Sequence, residues 1–513
     1  MSSARGLLGL SSRHVHFTRG ASYLIMHTLG LNAVNIVSFA ILARLISTKE
    51  MGIYAILLLI NATCQTFATL SVDQAVIRFV AENFSRGAVS AAAGAFYQAL
   101  RTTLIIAVPV AGLLYYEAPF LALHLLGAIS YAVLFQVLAV DVLLTAGAQP
   151  VIMSGLLGLQ MFREFAAVDL IFGAILRQTM IILLIVFLRN FVGLVIAWVF
   201  SDAATVLVLL VFAIGALGLP RFDFPLIKLF RFSFPLTLGS VAGYAQTWFD
   251  RALLVAFVPL ATLGIYNAAL TAFGVLAGVA GAMASMLYSA YSSIKGETHS
   301  ESRMRDGVRL ATRYSSFTLI PIAFGLLAVA KPALTLLVGE PYAAGSLPLI
   351  IFSGAFAVTA FTAVLGPVLL VLEETKVAAA ITGVSVALSL VVAYVLLPEY
   401  GMVGASVARA FAMILVAALT ILVVSRKMTL QVDILAVAKN LFASTIMAVV
   451  LVAFQVVVYS KFLLPVYVLI GAVVYLILLR LLRAVDPTDL SLLRGFLGPR
   501  LSLVSDMLSW VLA

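Results

Sequence analysis

Asp73, Asp141, Arg177, Asp202, Asp250, Arg251 and Arg409 all stand within long apolar stretches of this sequence, with Arg44 and Arg78 nearer the ends of such stretches. A charge at mid-bilayer is costly unless it faces protein or water, so an ionisable side chain at that depth is a functional candidate by default. A guanidinium stays charged when desolvated and presents paired donors to the oxygens of an anion. Arg251, Arg409, Arg177 and Arg78 are therefore the candidate substrate-binding residues. Asp73, Asp141 and Asp250 have two uses open to them: pairing with those cations to brace the helices, or exchanging a proton or sodium ion. Adjacent residues on a helix point about 100° apart, so Asp250 and Arg251 are expected to find partners away from each other. Asn32, Asn35, Asn61, Gln65, Gln74 and Gln246 add amides that serve interhelical hydrogen bonds or bind hydroxyls.

No catalytic or metal-binding pattern accompanies these charges. His14, His16 and His299 lie in charged, solvated segments, and His27 and His124 sit near membrane edges without a ligand at metal-binding spacing. The single cysteine, Cys64, rules out an intrachain disulfide and a cysteine-based metal site. No glycine-rich phosphate loop follows a strand. The reading is a transporter and not an enzyme, with no catalytic residue, metal or cofactor; proton or sodium coupling is the one ion requirement left open.

The elements that must position the charges follow from composition. The 513 residues are 64% hydrophobic and 10% charged, with mean hydropathy +1.17. Soluble domains run at about 45–50% apolar and about 25% charged, so this is an integral membrane protein. The net charge of +10 does not point to nucleic acid, because basic residues of membrane proteins collect in cytoplasmic loops. A span needs about 20 apolar residues, and that ruler places fourteen helices, centred near Val34, Thr66, Val108, Leu134, Leu176, Phe200, Gln246, Leu276, Phe324, Phe361, Ala387, Ile414, Ala448 and Leu469. With the N-terminus inside, 23 of the 31 Lys and Arg residues fall in cytoplasmic segments, which predicts a multi-pass cell-membrane protein with both ends cytoplasmic.

A repeat organises these spans. At an offset of 211 to 212 residues, Gly52-Ile53-Tyr54 meets Gly264-Ile265-Tyr266, Arg101 meets Arg313, Pro109 meets Pro321, Gly155 meets Gly366, and Val192-Gly193 meets Val403-Gly404. Six helices per repeat is an even number, so the repeats are parallel. The glycine of each Gly-Ile-Tyr is expected to permit a tight outer turn, and the tyrosine to sit at the membrane interface. The predicted organisation is an all-α protein. It has a cytoplasmic leader (1–19), a first six-helix lobe (20–218), a cytoplasmic linker (219–231), a second lobe (232–427), two further spans (428–484) and a cytoplasmic tail (485–513).

The phrases FAILARLISTKEMGIYAILLLINATCQTFATLSVDQAVIRFVAE, FRFSFPLTLGSVAGYAQTWFDRALLVAFVPLATLGIYNAAL, LLVGEPYAAGSLPLIIF and LPEYGMVGASVARA resemble the polysaccharide and oligosaccharide flippases of the multidrug/oligosaccharidyl-lipid/polysaccharide exporter (MOP) superfamily. The resemblance covers most of the chain, through loose patterns rather than catalytic signatures. It implies two six-helix lobes around a central cationic cavity and two further helices. It also implies movement of a lipid-linked, polyprenyl-pyrophosphate oligosaccharide across the cytoplasmic membrane by alternating access. The arginines would then hold the pyrophosphate, and the apolar last two spans would flank a lateral opening for the lipid tail. Expected partners are the lipid-linked oligosaccharide, membrane lipids and other polysaccharide-assembly membrane proteins. The alternatives are an ion-coupled exporter of drugs or cations from the same superfamily, and a polytopic saccharide polymerase or ligase. The short outside loops disfavour the latter.

Overall fold

The computed structural model describes residues 2–188, 191–295 and 300–484. The predicted tail at 485–513 and His299 lie outside them. The chain divides into two compact units, Met1–Gly264 and Ile265–Ala513. The first unit holds α1 (Ser2–Leu45), α2 (Thr48–Thr69), α3 (Val72–Ser85), α4 (Val89–Tyr116), α5 (Ala118–Leu126), α6 (Ala132–Val142), α7 (Gln149–Gly158), α8 (Phe162–Val168), α9 (Arg177–Leu188), α10 (Val192–Leu217), α11 (Leu226–Phe257) and the first turn of α12 (Leu260–Lys295). The second holds the rest of α12, then α13 (Ser300–Ala328), α14 (Ala330–Leu337), α15 (Ser346–Thr359), α16 (Leu365–Val371), α17 (Thr375–Lys427), α18 (Ile434–Val457) and α19 (Leu464–Leu481). The residues predicted as a leader are continuous with the first span in the single helix α1.

Among the described residues, twelve segments are long and apolar enough to cross a membrane. Thirteen of the fourteen predicted centres fall in these twelve segments, one each except for Ala387 and Ile414, which share α17. That helix is 53 residues long, with Pro398 inside it and a non-helical reversal at Gly401 (φ 50°, ψ −125°). Span 7, centred on Gln246, corresponds to α11, which falls outside the twelve and carries four charged residues, Lys228, Arg231, Asp250 and Arg251. Span 2 runs over Thr48–Thr69 and so ends sooner after its predicted centre at Thr66 than expected, because Leu70 and Ser71 both take left-handed backbone conformations, separating α2 from α3. Non-glycine residues pay for φ above zero, and α11 supplies the compensation: Thr237 Oγ1 donates to the Leu70 carbonyl at 2.8 Å, and the Ser71 and Ser240 hydroxyls bond at 2.8 Å.

The duplication is visible in the elements. Thr48 and Leu260 begin α2 and α12, Ala118 and Ala330 begin α5 and α14, and Pro109 and Pro321 lie inside α4 and α13. The glycines of the two Gly-Ile-Tyr phrases serve a different purpose from the one expected. Both lie within helices, and neither has a positive φ. A Cβ on Gly52 would stand 1.9 Å from the Leu260 carbonyl oxygen, and one on Gly264 would stand 2.1 Å from that of Thr48. The contact is reciprocal: each glycine accepts the backbone of the residue that opens the other repeat's helix. Small residues allow such approach between membrane helices. The tyrosines pack against other rings, the half-buried Tyr54 edge-on to Trp198 at 5.9 Å and the fully buried Tyr266 against Phe352 at 5.7 Å. Gly193 and Gly404 are also equivalent, the former closing on Leu184 and the latter on Leu396, 212 residues further on. The Gly155 and Gly366 match fails structurally, since Gly155 packs on the Phe96 ring while Gly366 has open space where a side chain would start.

The core of the first unit gathers Val76, Phe96, Ile152, Leu156 and Leu209 from α3, α4, α7 and α10. In the second unit α18 and α19 pack on α13, where buried Asn440 donates to Ser316 at 3.0 Å and Tyr475 to the Phe317 carbonyl at 3.1 Å. The outward faces of these last two helices carry Val449, Val456, Val457 and Leu469, all exposed.

Candidate functional site

Four helices and two widened turns of the first unit bring ionisable groups together. Asn61 and Gln65 lie one turn apart on α2, Asp141 is on α6, and Trp198 and Asp202 lie one turn apart on α10, so each pair shares a face. Six residues after α6, Leu143–Ala148, form a π-helical turn, and eight before α9, Asp169–Leu176, form another. Such turns are rare and frequently occur at functional sites. Here they begin two residues after Asp141 and end one residue before Arg177.

The geometry is polar and buried. Asn61 donates to Asp141 Oδ2 at 3.0 Å, while Thr145 bonds both the Asn61 oxygen at 3.2 Å and the Asp141 carbonyl at 2.9 Å. Gln65 fixes this turn by donating to the Thr145 carbonyl at 3.0 Å. Arg177 donates to Asp202 Oδ2 at 2.6 Å and lies over the Trp198 ring, 5.2 Å from its centroid. The carboxyls of Asp141 and Asp202 interact with each other, both at 0% exposure. One guanidinium therefore faces two carboxylates, leaving an excess negative charge that one proton or one monovalent cation would neutralise. Asp141 Oδ1, Asp202 Oδ1 and Arg177 Nε are buried with no hydrogen-bond partner. Two carboxylates cannot bond one another without a proton.

The charges extend to α1, near the start of its membrane-crossing segment Met26–Leu45. His27 Nε2 bonds Asp169 Oδ2 at 2.8 Å, with the imidazole packed on Phe165, and Asp169 acts electrostatically on Asp202. The sequence set His27 aside for want of a metal-ligand partner; its partner is instead a carboxylate 142 residues away, beyond any local pattern.

The other predicted site residues are dispersed. Asp250 is fully buried on α11 and accepts from the Arg251 backbone N–H at 2.8 Å. The Arg251 guanidinium turns back one helical turn, lying 3.6 Å from the Trp248 ring centroid and donating to the Thr247 carbonyl. Asp73 stands beyond the break, in α3, and accepts from neighbouring Gln74 at 2.9 Å. Arg78 is exposed on α3 and stacks on Phe232 at 4.7 Å. Arg409 is half-buried on the second arm of α17, in the other unit. Of the residues named from the sequence, the structure unites Asp141, Arg177, Asp202 and Asn61, and it adds Thr145, Asp169 and His27. Among the described residues no group of three or more His, Cys, Asp or Glu is placed to hold a metal ion.

Residues 41–346, more than half of the chain, match the family described as polysaccharide biosynthesis protein. The chain belongs to that family. Its relatives include a probable low-salt glycan biosynthesis flippase, Agl15, from Haloferax volcanii, 27% identical over 36% of this chain and 39% of that protein. Another is the succinoglycan biosynthesis transport protein ExoT of Rhizobium meliloti, 26% identical over 64% of this chain and 63% of that one. The chain thus aligns with less than two thirds of the length of either relative. Among solved structures, the inward closed lipid II flippase MurJ superposes with a TM-score of 0.72 at 14% identity, over 90% of this chain and 98% of MurJ. An inward-facing multidrug resistance MATE family transporter of the MOP superfamily superposes with a TM-score of 0.62 at 13% identity, over 78% and 97%. The protein is a multi-pass, all-helical membrane protein with the fold of this superfamily.

Proposed function

We propose that the chain is a flippase carrying a lipid-linked, polyprenyl-pyrophosphate oligosaccharide across the cell membrane by alternating access, with both termini cytoplasmic. In this reading Arg251, Arg78 and Arg409 bind the anionic headgroup, and Arg177 serves the ion site. The observation that carries transport rather than chemistry is the buried cluster of Arg177 against Asp141 and Asp202. Its unpartnered oxygens and its excess negative charge suit reversible uptake of one proton or one sodium ion. The saccharide cargo is supported by the family match and by what the two curated relatives are called. Arg251 adds a guanidinium pre-oriented by an indole ring, the planar donor geometry that pyrophosphate requires. Neighbouring saccharide-assembly proteins would supply the substrate and take the product.

The test is transfer of a fluorescent polyprenyl-pyrophosphate oligosaccharide in proteoliposomes, comparing wild type with Arg251→Ala and Asp141→Asn at equal reconstitution. Transfer by wild type, with loss in both variants, supports the assignment. Export of cationic dyes with no lipid transfer assigns the protein to the exporter branch.

A further inference from the structure

The charges of the buried cluster do not cancel. Asp141 and Asp202 bring two negative charges, both at 0% exposure, and Arg177 brings one positive charge. Asp169, which also acts on Asp202, has its own partner in His27 at 2.8 Å. Charges out of water are tolerated where they are paired. An occupant carrying one positive charge brings the three groups to neutrality, whereas a divalent ion would leave a positive charge uncompensated in the same place.

The atoms around these charges are otherwise those that a divalent ion prefers. The two carboxylates have their oxygens side by side, Asn61 donates to Asp141 Oδ2 at 3.0 Å, and the Thr145 hydroxyl meets the Asn61 oxygen at 3.2 Å. Carboxylate, amide and hydroxyl oxygens are hard ligands, and calcium gathers about six to eight of them. Arg177 stands in the way. Its Nη2 takes Asp202 Oδ2 at 2.6 Å, while the Trp198 ring, one turn from Asp202 on α10, lies 5.2 Å from the guanidinium. Tyr54 packs edge-on to the same indole at 5.9 Å and fixes it from the other helix. A guanidinium keeps its charge when desolvated, so it does not give way by losing a proton as a buried lysine does. The Oδ1 atoms of Asp141 and Asp202 are left buried without a hydrogen-bond partner, where a single charge would sit.

We infer that Arg177 sets the valence of the ion site: it is a built-in counter-cation that restricts the Asp141 and Asp202 pair to one positive charge and excludes divalent ions. With a neutral side chain at position 177 the same oxygens carry two uncompensated negative charges and take calcium. The inference rests on the ion-coupling part of the proposed function and is independent of the lipid carried.

The test is thermal unfolding of the full chain in mild detergent, titrated with calcium at fixed ionic strength, since an ion that binds the folded state raises the unfolding temperature in step with its occupancy. Wild type should not respond. Arg177→Gln should be stabilised in a saturable way, with half of the effect at a calcium concentration about tenfold or more below any at which wild type responds, because one unit of charge a few ångströms away changes cation affinity by at least that much. Arg177→Gln combined with Asp202→Asn returns the net charge to its original value and should lose the response. Asn61→Asp reaches the same excess charge by adding a carboxylate beside Asp141 while keeping the Arg177 and Asp202 bond, so it covers the case in which Arg177→Gln fails to fold; it too should gain a calcium response. Calcium that shifts wild type and the folded variants alike, or shifts none of them, overturns the role of Arg177. Wild type separately answers for the ion-coupling reading: a protonated-carboxyl infrared band that Asp141→Asn removes, or a sodium-dependent rise in unfolding temperature, supports it, and the lack of both overturns it.

Discussion

Replacing Arg177 with Met removes the cation from a cluster whose two carboxylates are both at 0% exposure. The guanidinium itself is 26% exposed, while its 2.6 Å bond reaches an Asp202 side chain that is 1% exposed. Breaking a buried ion pair by removing one partner costs about 3–5 kcal/mol, because the remaining charge is left uncompensated. The lost stacking on Trp198, at 5.2 Å, adds about 0.5–1 kcal/mol. Asn61 and Thr145 still serve the Asp141 side, so they do not rescue Asp202. The expected destabilisation of Arg177→Met is therefore about 3.5–6 kcal/mol. The double variant Arg177→Met, Asp202→Leu removes both charges and should recover most of that loss, since buried pairs replaced by apolar residues are often neutral or better. The assay is unfolding of the purified protein in mild detergent, read as a double-mutant cycle. An Arg177→Met variant within about 1 kcal/mol of wild type, or a double variant weaker than both singles, would refute the reasoning.

Gly52→Ala and Gly264→Ala should each destabilise by about 1–3 kcal/mol or more through overpacking, because the added methyl lands about 2 Å from a carbonyl oxygen. Gly112→Ala, on α4 with open space around it, should be neutral or slightly stabilising in the same unfolding assay; equal effects at the three sites would argue against the close approach. Asn440→Ala removes the buried bond to Ser316, and within a membrane such a bond averages about 0.6 kcal/mol. Unfolding should therefore shift slightly, and a loss of several kcal/mol would mean that the α13 and α18 contact depends on Asn440 far more than its hydrogen bonds explain. On the surface, the Lys295 ammonium 2.9 Å from Glu373 holds that carboxyl below its ordinary value. A depressed carboxylate value stabilises above the unfolded value and loses that contribution as pH falls through the folded one. Wild type should thus be slightly more stable than Glu373→Gln at neutral pH, the two converging on acidification; a difference that grows toward acid would contradict the pairing.

The membrane class, the run of spanning helices and the duplication were legible in the sequence because each is a one-dimensional property. Hydropathy over about 20 residues reports whether a helix can cross a bilayer, and a fixed offset reports a repeat. The candidate charges could be named from depth alone, since any ionisable group in an apolar run needs a compensating partner. Which partner each one takes was a tertiary decision. Asn61 reaches Asp141 across 80 residues and His27 reaches Asp169 across 142, separations that no periodicity encodes. Arg177, read as an anion-binding residue, is turned by helix packing onto Asp202. The paired glycines show the division most clearly. Their types and their 212-residue spacing were on the page from the start, yet only the crossing of α2 and α12 revealed that they stand where two backbones meet with no room for a Cβ. Sequence determines what a residue can do, and packing determines which of those possibilities has a neighbour to act on.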